Sequence, residues 1–153
     1  MSREPDAGRD KPMKRWMAID LGDRRVGIAI SDPTGTIASP AGFIERRAGK
    51  RPPITAILAK AQELGALGFI VGLPLDQHGA ETARAAEARR LATELEKKTT
   101  LPTWLVDERF TTAAALRAVK EMEGTTRGRK GDVDSLAATF LLQHAMKLAG
   151  NAD

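Results

Sequence analysis

Acidic side chains occur at three places in this sequence where the surrounding pattern does not require them. Asp20 lies inside the apolar run WMAIDLG, Asp107 and Glu108 follow the apolar pair LV of a later run, and Asp134 lies in a helical pattern. A buried carboxylate is costly unless it is protonated, paired with a cation or bound to a metal. Converging carboxylates without thiol ligands favour Mg²⁺ or Mn²⁺, and one or two such ions can activate water for phosphodiester cleavage.

The composition excludes several other chemistries. The 153 residues include no Cys and no Tyr, which excludes thiol nucleophiles, zinc–thiolate sites and tyrosyl intermediates. The 24 Lys and Arg outnumber the 20 Asp and Glu, and the net charge of +4 favours an anionic partner. The longest uncharged apolar stretch, residues 64–75, is shorter than the ~20 residues of a membrane span. The charged N-terminus is unlike a signal peptide, so we expect a cytoplasmic protein without membrane contact.

Asp20 has an alternative explanation within its own hairpin. Alternation along the strand places Trp16, Ala18 and Asp20 on one face of the sheet. A salt bridge to Arg24 or Arg25, or a turn at the strand end, would compensate this carboxylate without a metal. Either arginine could instead contact phosphate, and a solvated turn is the equal alternative for both.

Asp107 and Glu108 follow another strand, and alternation points them in opposite directions. Ligands of open α/β sheets collect at the carboxyl ends of parallel strands, so one of these two acids can join Asp20 there. The pattern leaves open which one does. The alternative is an ordinary acidic entry to the next helix, with Thr111 or Thr112 as its cap.

Helical spacing distinguishes Asp134 from Asp132. Every position of the core stripe counted from Asp134 is apolar: Ala137, Ala138, Leu141, Leu142 and Ala145. The same spacing from Asp132 reaches Ser135, Leu136 and Thr139. We therefore expect Asp134 to face the core and Asp132 to cap the helix, although Asp134 could also be only a partner of the helix dipole.

The elements that must position these acids follow from periodicity and turn residues. We predict five strands and four helices in the order β-β-β-α-β-α-β-α-α. Strands are expected at 16–22, 25–32, 36–44, 68–73 and 102–107, helices at 52–64, 80–98, 112–123 and 133–149, and loops at 74–79 and 124–131. The expected fold is α/β, a mixed five-stranded sheet with helices on both faces and the first strand central. A flexible polar tail, 1–15, precedes a single domain, 16–150.

Basic residues near the acids are candidates for contact with a nucleic-acid backbone. The loop GTTRGRKG leads directly into the helix of Asp134 and contains Arg127, Arg129 and Lys130. The alternative is a solubilising surface loop. Two further basic groups could widen a nucleic-acid track or simply face solvent: Arg46, Arg47, Lys50 and Arg51, and Arg84, Arg89 and Arg90.

Glycines and loop residues are expected to shape the cleft. Gly22 and Gly27 frame the first hairpin, where glycine permits positive φ and a close approach by a ligand phosphate; the alternative is simple turn geometry. The segment GLPLDQHG supplies Gly72, Pro74 and Gly79 as a cleft wall, and Thr111 and Thr112 form another part of it. His78 is expected to face solvent and His144 to be structural. Most of the six aromatic residues follow core-like patterns, so base stacking should not dominate recognition.

Four ordered blocks of this sequence resemble the YqgF family, also called RuvX, within the ribonuclease H-like superfamily. The blocks are DLGDRRVGIAISD at 20–32, VGLPLDQHGAE at 71–81, VDERFTT at 106–112 and KGDVDSLAA at 130–138. The resemblance implies a ribonuclease H-like fold, a catalytic and metal-binding set of Asp20, Glu108 and Asp134, and Mg²⁺ or Mn²⁺ as cofactor. It selects Glu108 over Asp107, which alternation left open.

The resemblance also implies a function. Members of the family have been described as nucleases that mature the 5′ end of pre-16S rRNA and as Holliday junction resolvases. We therefore expect a metal-dependent endonuclease acting on precursor rRNA, free or in a pre-ribosomal particle, with resolution of branched DNA as the alternative. A monomer or weak homodimer is expected. Phosphoryl transfer from ATP on this fold needs two such domains, and a non-catalytic RNA-binding factor would not need buried acids.

Overall fold

The computed structural model describes residues 14–47, 51–109, 111–112, 114–116 and 130–150. The strands are β1 (Trp16–Leu21), β2 (Arg25–Ser31), β3 (Ala38–Glu45), β4 (Gly68–Leu73) and β5 (Thr103–Asp107). The helices are α1 (Ile54–Leu64), α2 (Ala83–Thr99) and α3 (Lys130–Gly150). Thr112 and residues 114–116 are helical, whereas the rest of the predicted helix 112–123, most of the loop 124–131 and most of the N-terminal tail lie outside the described residues.

All five described strands form one mixed sheet in the order β3-β2-β1-β4-β5. β2 is antiparallel to both β1 and β3, whereas β4 is parallel to β1 and β5 is parallel to β4. The prediction of a mixed five-stranded sheet with β1 at its centre is therefore confirmed. The connections explain this order, because a short turn favours an antiparallel pair and a helical crossover returns the chain parallel.

The two faces of the sheet are covered by different helices. Met17, Ile19 and other odd-numbered side chains of β1 pack in a core with α1 and α2. Trp16 and Ala18 pack on the opposite face against α3. Alternation along β1 thus sends Asp20 to the α3 face, as its spacing from Trp16 predicts.

Several element boundaries differ from their predicted positions, and three of these differences, at the starts of β3, α2 and α3, concern the elements around the site. β3 begins at Ala38 because the Asp32 carboxylate accepts the backbone N–H groups of Thr36 and Ile37, at 2.8 and 3.0 Å, and holds this segment as a turn. These bonds also lower the pKa of Asp32. α2 begins at Ala83 because the Thr82 hydroxyl caps it.

The third difference concerns α3. This helix begins at Lys130 rather than at 133, so Asp132 lies within its first turn and not at its cap. The cap prediction for Asp132 is therefore wrong. No helix in the described ranges is long and apolar enough to span a membrane.

Candidate active site

Three buried acids lie in a row across the α3 face of the sheet. Asp20 is at the centre, on β1, and pairs in register with Gly27 of β2. On the other side, the parallel register of β1 and β4 pairs Ile19 with Val71, so its next step brings Asp20 beside Gly72. Asp20 is only 5% exposed. The Asp20 side chain therefore lies between two glycines, Gly27 and Gly72, which have no side chains of their own.

Gly27 and Gly72 lie directly beneath the two acids that flank Asp20. A Cβ atom at Gly27 would lie 2.6 Å from the backbone carbonyl carbon of Asp134 and would collide with its oxygen. A Cβ at Gly72 would lie 2.7 Å from Glu108 Oε2 and 3.0 Å from a methyl group of Leu141. Asp134 thus sits over β2 and Glu108 over β4, with Asp20 between them. We call Asp134, Asp20 and Glu108 the acidic row.

Gly27 and Gly72 are required because other atoms pack closely against them, and not because of their backbone dihedral angles. Positive φ occurs, among the glycines of the described ranges, at Gly35, Gly42, Gly65 and Gly79. Gly22 and Gly27 do not adopt the positive φ that glycine permits. Gly27 is needed because α3 passes directly over it, a contact between distant parts of the chain that a hairpin pattern does not show.

Glu108 and Asp107 have opposite environments. Glu108 follows β5 and is 2% exposed. Burial, and secondarily the charge of Asp107, raise the pKa of Glu108 to about 7. Asp107 is half-buried and accepts from Arg109 Nη2 at 2.8 Å. Burial alone would raise the pKa of Asp107, but the hydrogen bonds and charge of Arg109 and the nearby His144 together lower it. The structure therefore brings Glu108, and not Asp107, into the row.

Asp134 has a cationic neighbour that the sequence did not identify. Arg25 Nε donates to Asp134 Oδ2 at 3.1 Å, and these side chains are only 18% and 7% exposed. Arg25, considered above as a partner for Asp20, thus forms a salt bridge with Asp134. Arg24, by contrast, is exposed on the turn. Since the two partners are 109 positions apart, only the packing of α3 on β2 brings them together.

The donor set of the row suits a hard divalent cation. Its members are buried carboxylates, and the chain has no Cys to compete for a softer metal. In the described ranges, however, no three acidic or histidine side chains already stand at metal-ligand spacing. A cation that binds here must compete with the Arg25 guanidinium for Asp134 Oδ2.

The predicted loop residues have structural roles around the row. Thr111 caps the helical segment that begins at Thr112, because its hydroxyl oxygen accepts from the backbone N–H of Ala114 at 3.2 Å. Thr112 follows it and is exposed. The Pro74 carbonyl accepts from the Thr82 hydroxyl at 2.9 Å, which ties the loop after β4 to the start of α2.

The Asp76 side chain stabilises the turn between Pro74 and Gly79. The Asp76 carboxylate accepts the backbone N–H groups of His78 and Ala80 at 2.8 and 2.9 Å. Gly79 adopts a φ of +85°, and its α-carbon faces the Arg109 guanidinium. His78 is exposed, as the sequence predicts. Arg127 and Arg129 lie outside the described residues, as does the side chain of Lys130.

An ion-pair network behind the first hairpin was not predicted. The guanidinium of Arg46 forms two hydrogen bonds to Glu87, at 3.1 and 2.8 Å, and its side chain is 3% exposed. Arg84 donates to the same carboxylate at 2.8 Å, and both arginines donate to the backbone carbonyl of Gly22. The hydrogen bond from Arg46 is the main cause that lowers the pKa of Glu87. These cations fix the β1–β2 turn onto α2.

Comparisons with known proteins agree with this architecture. A family model described as "RuvX: Holliday junction resolvase" matches residues 14–148. Proteins named "Putative pre-16S rRNA nuclease" from Clavibacter michiganensis and Bradyrhizobium diazoefficiens are each 37% identical to the chain, over 131 and 135 residues. These matches cover 86% and 88% of this chain and 81% and 83% of the relatives.

A third relative of the same name, from Nocardioides, is 39% identical over 133 residues and 85% of both chains. Among solved structures, Thermus thermophilus RuvC in complex with a Holliday junction substrate aligns with a TM-score of 0.52. It covers 88% of this chain and 94% of that one at 14% identity. This likeness shows the fold, an α/β arrangement of the ribonuclease H-like kind that the resemblance to the family implies.

Proposed function

The chain belongs to the RuvX family, and from this membership we propose that it is a divalent-metal-dependent endonuclease that cleaves structured RNA at the 5′ end of pre-16S rRNA. The relatives named above as pre-16S rRNA nucleases support the choice of substrate. The net charge of +4 is suited to a polyanionic partner.

The observation that carries the proposal is the acidic row. Asp20, Glu108 and Asp134 would hold Mg²⁺ or Mn²⁺, as one or two ions. Such ions, when bound, activate water and stabilise the leaving oxygen in phosphodiester hydrolysis. The close approach of α3 to Gly27 and of Glu108 to Gly72 supports a single centre shared by the three carboxylates.

The chain's own residues prepare this centre. Arg25 pairs with Asp134, and if a cation were held at Asp134 the Arg25 guanidinium would be available to contact a substrate phosphate. Arg127, Arg129 and Lys130 precede or begin α3 and would hold the substrate backbone near Asp134. The burial of Glu108 raises its pKa to about 7, and a cation held by the row would favour its ionised form.

A second candidate is cleavage of branched DNA. The description of the family model, a Holliday junction resolvase, favours this substrate. A resolvase should act as a symmetric dimer on a four-way junction, whereas an RNA end requires only one active site.

The deciding experiment compares both substrates with one protein preparation. A pre-16S rRNA 5′-end fragment and a four-way DNA junction are incubated with the protein and Mn²⁺, and products are resolved on denaturing gels. We expect cleavage of the RNA. Cleavage of the junction alone would establish the alternative.

Matched variants test the assignment of the acids. Asp20→Asn and Glu108→Gln should abolish cleavage while circular dichroism and thermal melting show a folded protein. Asp107→Asn is the control, because Asp107 pairs with Arg109 outside the row, and it should retain activity within a few-fold. An Asp20→Asn protein that cleaves as fast as the unaltered one would refute the proposed site.

A further inference from the structure

An exposed aromatic ring lies beside the acidic row. Phe43 is on the edge strand β3 and is 41% exposed. It pairs in register with Gly27, which in turn pairs with Asp20. Register partners in antiparallel strands project to the same face, so Phe43 is on the face of the row. Two strand spacings separate it from Asp20, which is about 10 Å.

A bulge in β3 puts the ring on this face. Ala29 pairs with Pro40 and Gly27 pairs with Phe43, so β3 has one extra residue between these pairs. Without the extra residue, Phe43 would oppose Val26 and would point to the other face, towards α1 and α2. Bulges of this kind re-aim side chains and occur frequently beside active sites.

Hydrogen bonds to α3, the helix that carries Asp134, hold the bulge in place. Gly42 has a φ of +86°, a conformation that glycine adopts without strain. Its backbone N–H donates to Ser135 Oγ at 3.0 Å, and the Ser135 hydroxyl donates to the Ile28 carbonyl at 2.9 Å. Ser135 is the residue after Asp134. The position of the ring is therefore coupled directly to the position of the acid.

The Phe43 ring also lies next to Arg25, the cation that pairs with Asp134. The guanidinium carbon of Arg25 lies 6.0 Å from the Phe43 ring centroid, and Arg25 Nε binds Asp134. A nucleic-acid strand whose phosphate lies at the acidic row therefore passes Arg25 and then the exposed face of Phe43. Both lie within the length of one neighbouring nucleotide. A nucleobase has the flat π surface that such a ring binds.

We propose that Phe43 is a stacking platform for one unpaired nucleobase next to the scissile phosphate. The proposal rests on the nucleic-acid substrate of the proposed function and adds a specificity for unpaired nucleotides at the cleavage site. It places stacking at a single position and is compatible with recognition that depends mainly on phosphate contacts. Stacking on one aromatic side chain changes affinity by about 5- to 100-fold.

The test uses the full chain with Asp20→Asn, so that bound RNA stays intact. The probes are RNA hairpins with a single-stranded 5′ extension, each carrying 2-aminopurine at one unpaired position. Phe43→Leu removes the aromatic face and keeps the apolar bulk, whereas Phe43→Trp keeps an aromatic face. Ile37→Ala, another exposed apolar residue before the same strand, is the matched control.

We expect one probe to be quenched on binding to the parent, Phe43→Trp and Ile37→Ala proteins, and not to Phe43→Leu. The Leu variant should bind these hairpins about 5- to 100-fold more weakly but bind fully paired RNA unchanged. Equal quenching of every probe by the parent and Leu proteins would overturn the proposal. If the protein with Asp20 intact cleaves RNA while quenching is independent of Phe43, only the platform is refuted. If no RNA is cleaved but quenching depends on Phe43, the nuclease assignment falls and the platform stands.

Discussion

Replacing Glu108 with Gln should remove a large pH dependence from the stability of the metal-free protein. Glu108 is buried beside Asp107, and its pKa is raised from the ordinary 4.5 to about 7. At ~1.36 kcal/mol per pKa unit, this shift corresponds to about 3 kcal/mol in the free energy of unfolding. Gln has nearly the same shape and stays neutral at every pH.

The sign follows from proton binding. Between pH 4.5 and about 7 the folded protein keeps the Glu108 proton whereas the unfolded chain loses it. The free energy of unfolding therefore falls by about 3 kcal/mol as the pH rises through this window, and it levels off above it. In Glu108→Gln this contribution is absent, so the variant should gain stability relative to the unaltered protein with increasing pH.

Urea unfolding in EDTA at pH 5, 6, 7 and 8, followed by Trp fluorescence, measures the effect. Glu63→Gln is the control, because the Glu63 side chain is 68% exposed and its removal should leave the pH profile unchanged. Adding Mn²⁺ should flatten the profile of the unaltered protein and leave that of Glu108→Gln as it was. Parallel profiles for the unaltered and Glu108→Gln proteins in EDTA would refute the burial argument.

Three further perturbations test the architecture of the site. Gly27→Ala should cost about 1–3 kcal/mol or more in urea unfolding, because its methyl group collides with the Asp134 backbone; an unchanged midpoint would show that α3 can move away. Arg25→Ala should lower the thermal midpoint in EDTA but increase the stabilisation by Mn²⁺, since the Arg25 guanidinium no longer competes with Mn²⁺ for Asp134. Equal Mn²⁺-induced shifts of the midpoint in the variant and the unaltered protein would contradict this. Neutralising the cations before Asp134 should weaken RNA binding and reduce the slope of log K against log salt concentration, whereas an unchanged slope would show that they face solvent. These cations are Arg127, Arg129 and Lys130.

Much of the fold and part of the site follow from local patterns. The two-residue alternation of β1 places Asp20 on the face that α3 covers, and the spacing along α3 predicts that Asp134 is buried, as observed. The short hairpin and the helical crossovers predict the strand order. Strand and helix periods are properties of the local backbone, so a single sequence displays them directly.

Other features exist only because distant segments meet. Arg25 pairs with Asp134 across 109 positions, and Arg46 pairs with Glu87 across 41. Gly27 resembles a turn residue in the sequence, but it is required because the backbone of α3 rests on it. One extra residue in β3 reverses the direction of Phe43, which alternation alone would assign to the opposite face. Alternation and helical spacing show which way a residue faces along its own element, but which residue it meets depends on how separate elements register and pack, and only the folded chain decides that.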